Sequence, residues 1–194
     1  MDVWNSKSSV DSKMKVFKLT IEACALFGCE SWHLTRKERN TLDITLWHML
    51  RKVLRSGRRP LPDGTVETWL DWWRRTGRDA KKKWLDLGNM PWSSVYASRI
   101  WNWSHKIANM HEADPVRIVA QWRDTEWQCE RVRLGDGNLR RPRSGNPFRW
   151  DRAVHRFWAR RGYYCLGSEG QRPNDGSWEQ HSQSFYHFLV TSGC

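Results

Sequence analysis

Apolar residues recur along this chain at spacings of three and four, and no convincing run of alternating apolar and polar residues appears. A strand sends successive side chains to opposite faces, whereas a helix gathers every third or fourth residue on one side. The chain is therefore read as all-α: a helical bundle-like domain with Arg-rich loops and a flexible C-terminal tail. No internal repeat of fixed period is found.

The expected helices can be placed by their stripes and their stops. Val10, Met14, Phe17, Ile21 and Ala25 share one face of a helix over about Ser9 to Leu26, which Gly28 interrupts. Thr35 and Glu38 stand at capping-box spacing. Behind them Leu42, Leu46, Met49, Leu50, Val53 and Leu54 form a stripe that ends near Arg55, before Ser56-Gly57. Pro60, Pro62 and Asp63-Gly64 make Arg58 to Gly64 a loop. Val66, Trp69, Leu70 and Trp73 then share a face, with Gly77 as a candidate break and Gly88-Asn89 as a stop.

Pro91 stands before a stripe of Trp92, Val95, Tyr96, Arg99 or Ile100, Trp103, Ile107 and Met110, where its missing N–H costs nothing. Asp114-Pro115 opens the next helix as cap and first residue. Asn146-Pro147 opens another, with Trp150, Val154, Phe157 and Trp158 on one side and Gly162 at its end. Trp178 to Val190 is a final helix with Trp178, Phe185, Phe188 and Leu189 as its apolar set. The organisation expected is a helical segment over 1–57, a linker at 58–64, a basic Trp-rich helical segment over 65–162 and a tail over 163–194.

Fifteen of the 194 residues are Trp. Each buries a large area and carries one N–H that needs a partner, so structural use is the first reading of any one of them. Flat indole faces also serve as platforms for nucleic-acid bases.

The formal net charge is +12, which makes a polyanion the first partner to consider. The longest apolar run, around Ala23 to Phe27, is far short of the roughly 18 residues of a membrane span. The N-terminus has no apolar core of a secretory signal. Residence inside the cell, cytoplasmic or nuclear, and no membrane partner are expected. Five widely spaced cysteines, Cys24, Cys29, Cys129, Cys165 and Cys194, do not form a disulfide framework.

The cations cluster. Arg51, Lys52, Arg55, Arg58 and Arg59 close the second helix. Arg74, Arg75, Arg78, Lys81, Lys82 and Lys83 form a second block, opposed locally by Asp79 alone. The densest block holds Arg131, Arg133, Arg140, Arg141, Arg143, Arg149, Arg152, Arg156, Arg160 and Arg161, against Asp136 and Asp151. Guanidinium donates paired hydrogen bonds to phosphate and stacks on bases. Residues expected at nucleic acid are Arg51, Lys52, Arg55, Arg74, Arg75, Lys81, Lys82, Lys83, Arg140, Arg141, Arg143, Arg149, Trp150, Arg152 and Arg156. For the arginines of the densest block the alternative is a solvated helix face.

Enzyme chemistry finds little footing. Cys24, Cys29 and His33 are too widely spaced for a zinc knuckle, which needs close pairs and a fourth ligand. His48, His105, His111 and His155 sit in helical patterns beside cations. Glu67 with Asp71 and Asp124 with Glu126 are near pairs outside any motif, and no adjacent Asp-Asp, Gly-rich phosphate loop or nucleophile elbow occurs. No cofactor, metal or catalytic residue is expected.

Two patches resemble the polyproteins of non-LTR (LINE-type) retrotransposons. Leu26-Phe27-Gly28-Cys29-Glu30-Ser31-Trp32-His33-Leu34-Thr35, then polar residues to Leu42, is similar to a segment reading L-Y-G-C-E-S-W-T-L-T with a polar run and Leu. There it is followed by M-L-R-(R/K)-(I/V)-L, here Met49-Leu50-Arg51-Lys52-Val53-Leu54. Arg141-Pro142-Arg143 with Arg149-Trp150-Asp151 resembles a downstream G-R-P-(R)-x-R-W-x-(D/E) motif, and Trp72 to Trp103 matches the intervening basic helix. The resemblance covers about residues 10 to 161 in order. Phe27 replaces the usual Tyr, Ser144 to Phe148 is inserted, and Trp is more abundant than usual.

In that family the first segment lies beyond the reverse-transcriptase palm, in or just after the thumb. The resemblance thus implies a non-catalytic piece that grips template RNA or target DNA during target-primed reverse transcription. Residues 1–57 would be thumb-like, and the rest of the polyprotein a further partner. Other readings stand beside it: a free-standing helical DNA-binding protein of helix-turn-helix type, a small metal-dependent nuclease, or a decayed reading frame.

Overall fold

The computed structural model describes residues 8–120, 152–163 and 173–191. Most of those residues are helical, with one isolated antiparallel bridge, Pro60 to Val66, as their β-structure. The protein is all-α, as its apolar spacing indicates. No helix among the described residues is long and apolar enough to cross a membrane. The helices are α1 (Val10–Phe17), α2 (Ala23–Ala25), α3 (Arg36–Leu54), α4 (Trp69–Asp86), α5 (Trp92–Asn109), α6 (from 115, described to 120), α7 (Arg152–Ala159) and α8 (Asp175–Thr191).

The chain divides into two compact units. The first holds Met1–Gly28 with Lys37–Val95, and the second Cys29–Arg36 with Tyr96–Cys194. Residues on both sides of the 58–64 loop belong to the first unit, and α5 begins in the first and continues in the second.

In the first unit, the expected opening helix departs from its register. Lys18–Glu22 is a π-helix between α1 and α2. A π turn adds a residue to the repeat, so Met14 and Phe17 are buried, Ile21 turns outward, and Glu22 and Leu26 take the inner positions. Phe17 meets Trp84 edge-on at 5.8 Å and stacks on Trp92 at 6.3 Å. Asp43 of α3 accepts from the Ser93 backbone N–H at 2.8 Å and its hydroxyl at 2.7 Å. A carboxylate thereby satisfies an orphan donor in the first turn of α5.

The loop before α4 is tied down. Leu61 N–H donates to Thr65 O, and Trp72 Nε1 donates to Ser56 O at 2.7 Å. Helix α4 starts at Trp69, later than its apolar pattern suggests, because Thr68 caps it by accepting from Asp71 N–H at 3.2 Å. It then runs unbroken through Gly77 to Asp86, where a split was the alternative. A single glycine costs a helix only about 1 kcal/mol, which the surrounding turns offset. Gly88, at φ +72°, stops the chain where Gly88-Asn89 was expected to.

The second unit has an aromatic core. Trp101 of α5 stacks on Trp158 of α7 at 5.3 Å and on Phe185 of α8 at 4.8 Å, and meets Phe157 edge-on at 5.3 Å. Its indole N–H donates to Trp178 O at 3.1 Å. The final helix forms where expected, and its apolar set, Trp178, Phe185, Phe188 and Leu189, is buried. Tyr96 ties in the Trp32–Leu34 segment: its hydroxyl donates to Trp32 O at 2.9 Å and accepts from Leu34 N–H at 3.1 Å.

Candidate nucleic-acid interface

The cations expected at nucleic acid separate into those committed to the fold and those left on the surface. Arg75 is committed. Its Nε and Nη2 donate to the two carboxylate oxygens of Glu67 at 2.9 and 2.8 Å, and Nη2 also reaches Gly57 O at 2.9 Å. These hydrogen bonds hold the Glu67 carboxyl below its ordinary value. Glu67 thus pairs with Arg75 rather than with Asp71, which is engaged at the Thr68 cap. Lys83 pairs with Asp11 at 2.8 Å. The second basic block is therefore opposed by Glu67 and Asp11 as well as Asp79, acids that lie outside the local sequence window.

Arg74, Arg78, Lys81 and Lys82 remain exposed on α4. Arg74, Arg78 and Lys81 follow each other at i, i+4 and i+7, a spacing that lines them along one helix face over about 10 Å. None of the four has an acid partner among the described residues. Lys52 and Arg55 are exposed at the end of α3, and Arg55 has φ +48°. Arg156 is exposed on α7. Arg152 opens that helix, with its side chain outside the described set. Arg140, Arg141, Arg143, Arg149 and Trp150 lie outside the described residues.

Between α3 and α4 the first unit carries a groove of about 390 Å³. Ile44, Trp47, Trp73 and Gly77 form its apolar floor, and Arg51, Arg74, Arg78 and Lys81 stand around it with His48. No acid lines it among the described residues. The Arg51 guanidinium lies over Trp73 at 4.7 Å and over Trp72 at 5.4 Å, while its Nε donates to Thr76 Oγ1 at 3.2 Å. Arg51 is thus half-buried and serves as a wall. Lys81 Nζ sits over Trp47 at 5.8 Å. Trp69, more than half exposed, stacks on Trp73 at 6.4 Å.

No family model, curated protein or solved structure matches the chain. What the site can do follows from its own residues. The groove combines indole rings with Arg51, Arg74, Arg78 and Lys81 and has no acid in its lining among the described residues.

Sequence reasoning missed Trp47 and His48 as groove residues, because each falls beside the apolar stripe of α3 rather than on it. Cys24 is exposed and Cys29 is buried, and burial raises the Cys29 thiol pKa. No three His, Cys, Asp or Glu side chains gather as a metal site among the described residues. Elsewhere, Arg161 lies over Phe157 at 3.7 Å and donates to Phe157 O, and Arg160 lies over Phe188 at 4.9 Å.

Proposed function

We propose that this chain is a nucleic-acid-binding segment from the post-palm, C-terminal region of a non-LTR retrotransposon reverse transcriptase. It grips template RNA or target DNA and leaves the polymerase chemistry to other parts of the polyprotein. The observation that carries the reading is the exposed row Arg74, Arg78 and Lys81 on α4, with Lys82 beside it and no acid paired to any of them among the described residues. Like charges held this close repel unless a polyanion neutralises them. The net charge of +12 supports the same partner. The ordered strings Leu26–Thr35, Met49–Leu54 and Arg141–Asp151 support the family.

The test is a variant with Arg74→Ala, Arg78→Ala, Lys81→Ala and Lys82→Ala together. Each phosphate contact adds about 0.7 to 0.9 to the slope of log affinity against log salt. The variant is expected to bind all sequences more weakly and to lose about two to four contacts' worth of slope. Unchanged affinity and slope in a folded variant would remove α4 from the interface.

A further inference from the structure

We infer that the α3–α4 groove takes unpaired bases, so that the first unit prefers single-stranded nucleic acid to duplex. The inference rests on the nucleic-acid reading above and names the form of ligand that this surface selects. Three observations carry it. The floor carries exposed apolar surface: Trp73 and Ile44 are 38 and 52 % exposed, and Trp69, 56 % exposed, stacks against Trp73 beside it. The rim carries Arg51, Arg74, Arg78 and Lys81 beside His48, with no acid among the described residues. The volume of about 390 Å³ falls within the roughly 300–1,000 Å³ of sites that hold small flat ligands.

A duplex presents phosphates but hides its base faces in its own stack. Phosphate contacts alone would leave the indole floor unused. A single strand offers both, because its bases turn out to stack on indole while its phosphates run along a cationic row. Arg74, Arg78 and Lys81 supply that row on α4. Arg51 and Lys81, each held over one face of Trp73 and Trp47, place positive charge beside the indole surface left for a base, where a flanking phosphate would meet it.

Gly77 supplies the test. A Cβ there meets only Arg51 Cδ, at an ordinary 3.8 Å, so a side chain enters the groove without backbone strain. Gly77→Leu fills the floor, adds no stacking face and leaves every charge in place. Binding of a labelled oligouridine and of a matched duplex is measured at one salt concentration, with helicity followed by circular dichroism. The wild type is expected to favour the single strand, and Gly77→Leu to lower that affinity by about tenfold with duplex binding unchanged. Crosslinks from a 4-thiouridine strand on the wild type are expected between residues 44 and 81, and this arm stands even if the variant fails to fold. Unchanged single-strand affinity in a folded Gly77→Leu, or crosslinks confined to other segments, overturns the groove and leaves nucleic-acid binding intact. Binding of neither strand nor duplex overturns both.

Discussion

Trp92 donates its indole N–H to Glu22 Oε2 at 3.0 Å, and both side chains are buried in the first unit. The π turn at Lys18–Glu22 makes this possible, because it rotates Glu22 inward and Ile21 outward. An acidic residue inside an otherwise apolar helix face is thereby explained: a buried indole N–H needs an acceptor. Replacing Glu22 with Leu strands that donor. Urea unfolding is expected to show a loss of about 1–3 kcal/mol for Glu22→Leu, and a smaller loss for Glu22→Gln, which keeps an acceptor.

Arg55 closes α3 at φ +48°, a conformation that glycine adopts without penalty and that costs other residues about 1–2 kcal/mol. Arg55→Gly is expected to stabilise the protein by about 1 kcal/mol in the same unfolding assay. If Arg55 also meets phosphate, the variant gains stability while its salt slope falls. That opposition is what a strained residue at a binding surface produces.

How far the sequence carries depends on whether the deciding contact is local. Several element ends were legible because they are set by neighbours. Asp114 accepts from Val116 N–H at 2.9 Å, Trp92 follows Pro91, and Gly88 and Gly162 take positive φ. The π turn was not legible, since its reward is the contact of Glu22 with a residue 70 positions away. Trp101 was missed for a related reason. Helix α5 buries Ala97, Trp101 and Ser104 as well as the expected Ile100 and Ile107, so a single stripe undercounts its buried surface. Among the candidate cations, charge clustering marked α4 correctly as basic. It could not tell Arg75, locked to Glu67, from Arg74 and Arg78, which face solvent.

The Arg75–Glu67 pair implies an acid sensitivity. The hydrogen bonds from Arg75 lower the Glu67 carboxyl from its ordinary 4.5. A depressed folded-state value gives stability that is fully present above about pH 4.5 and lost as pH falls through the lowered value. Unfolding measured from neutral to acid pH is expected to show this loss in the wild type and to lack that component in Glu67→Gln. An identical acid profile in both proteins would contradict it.

Trp101 organises the second unit through its ring contacts with α7 and α8. Trp101→Ala is expected to cost about 3–5 kcal/mol. Trp103→Ala, on the half-buried flank of the same helix, is expected to cost much less. Thermal unfolding of the two variants side by side distinguishes a hub from a general dependence on tryptophan.

The most direct measurement is a salt titration of wild-type binding to labelled single-stranded RNA and to duplex DNA, with and without Mg²⁺. The account predicts tight binding at low salt without strand cleavage. If six to ten phosphates are contacted, affinity falls about 10³–10⁵-fold between about 50 and 200 mM salt. Absence of binding at low salt, or cleavage that depends on Mg²⁺, would contradict it.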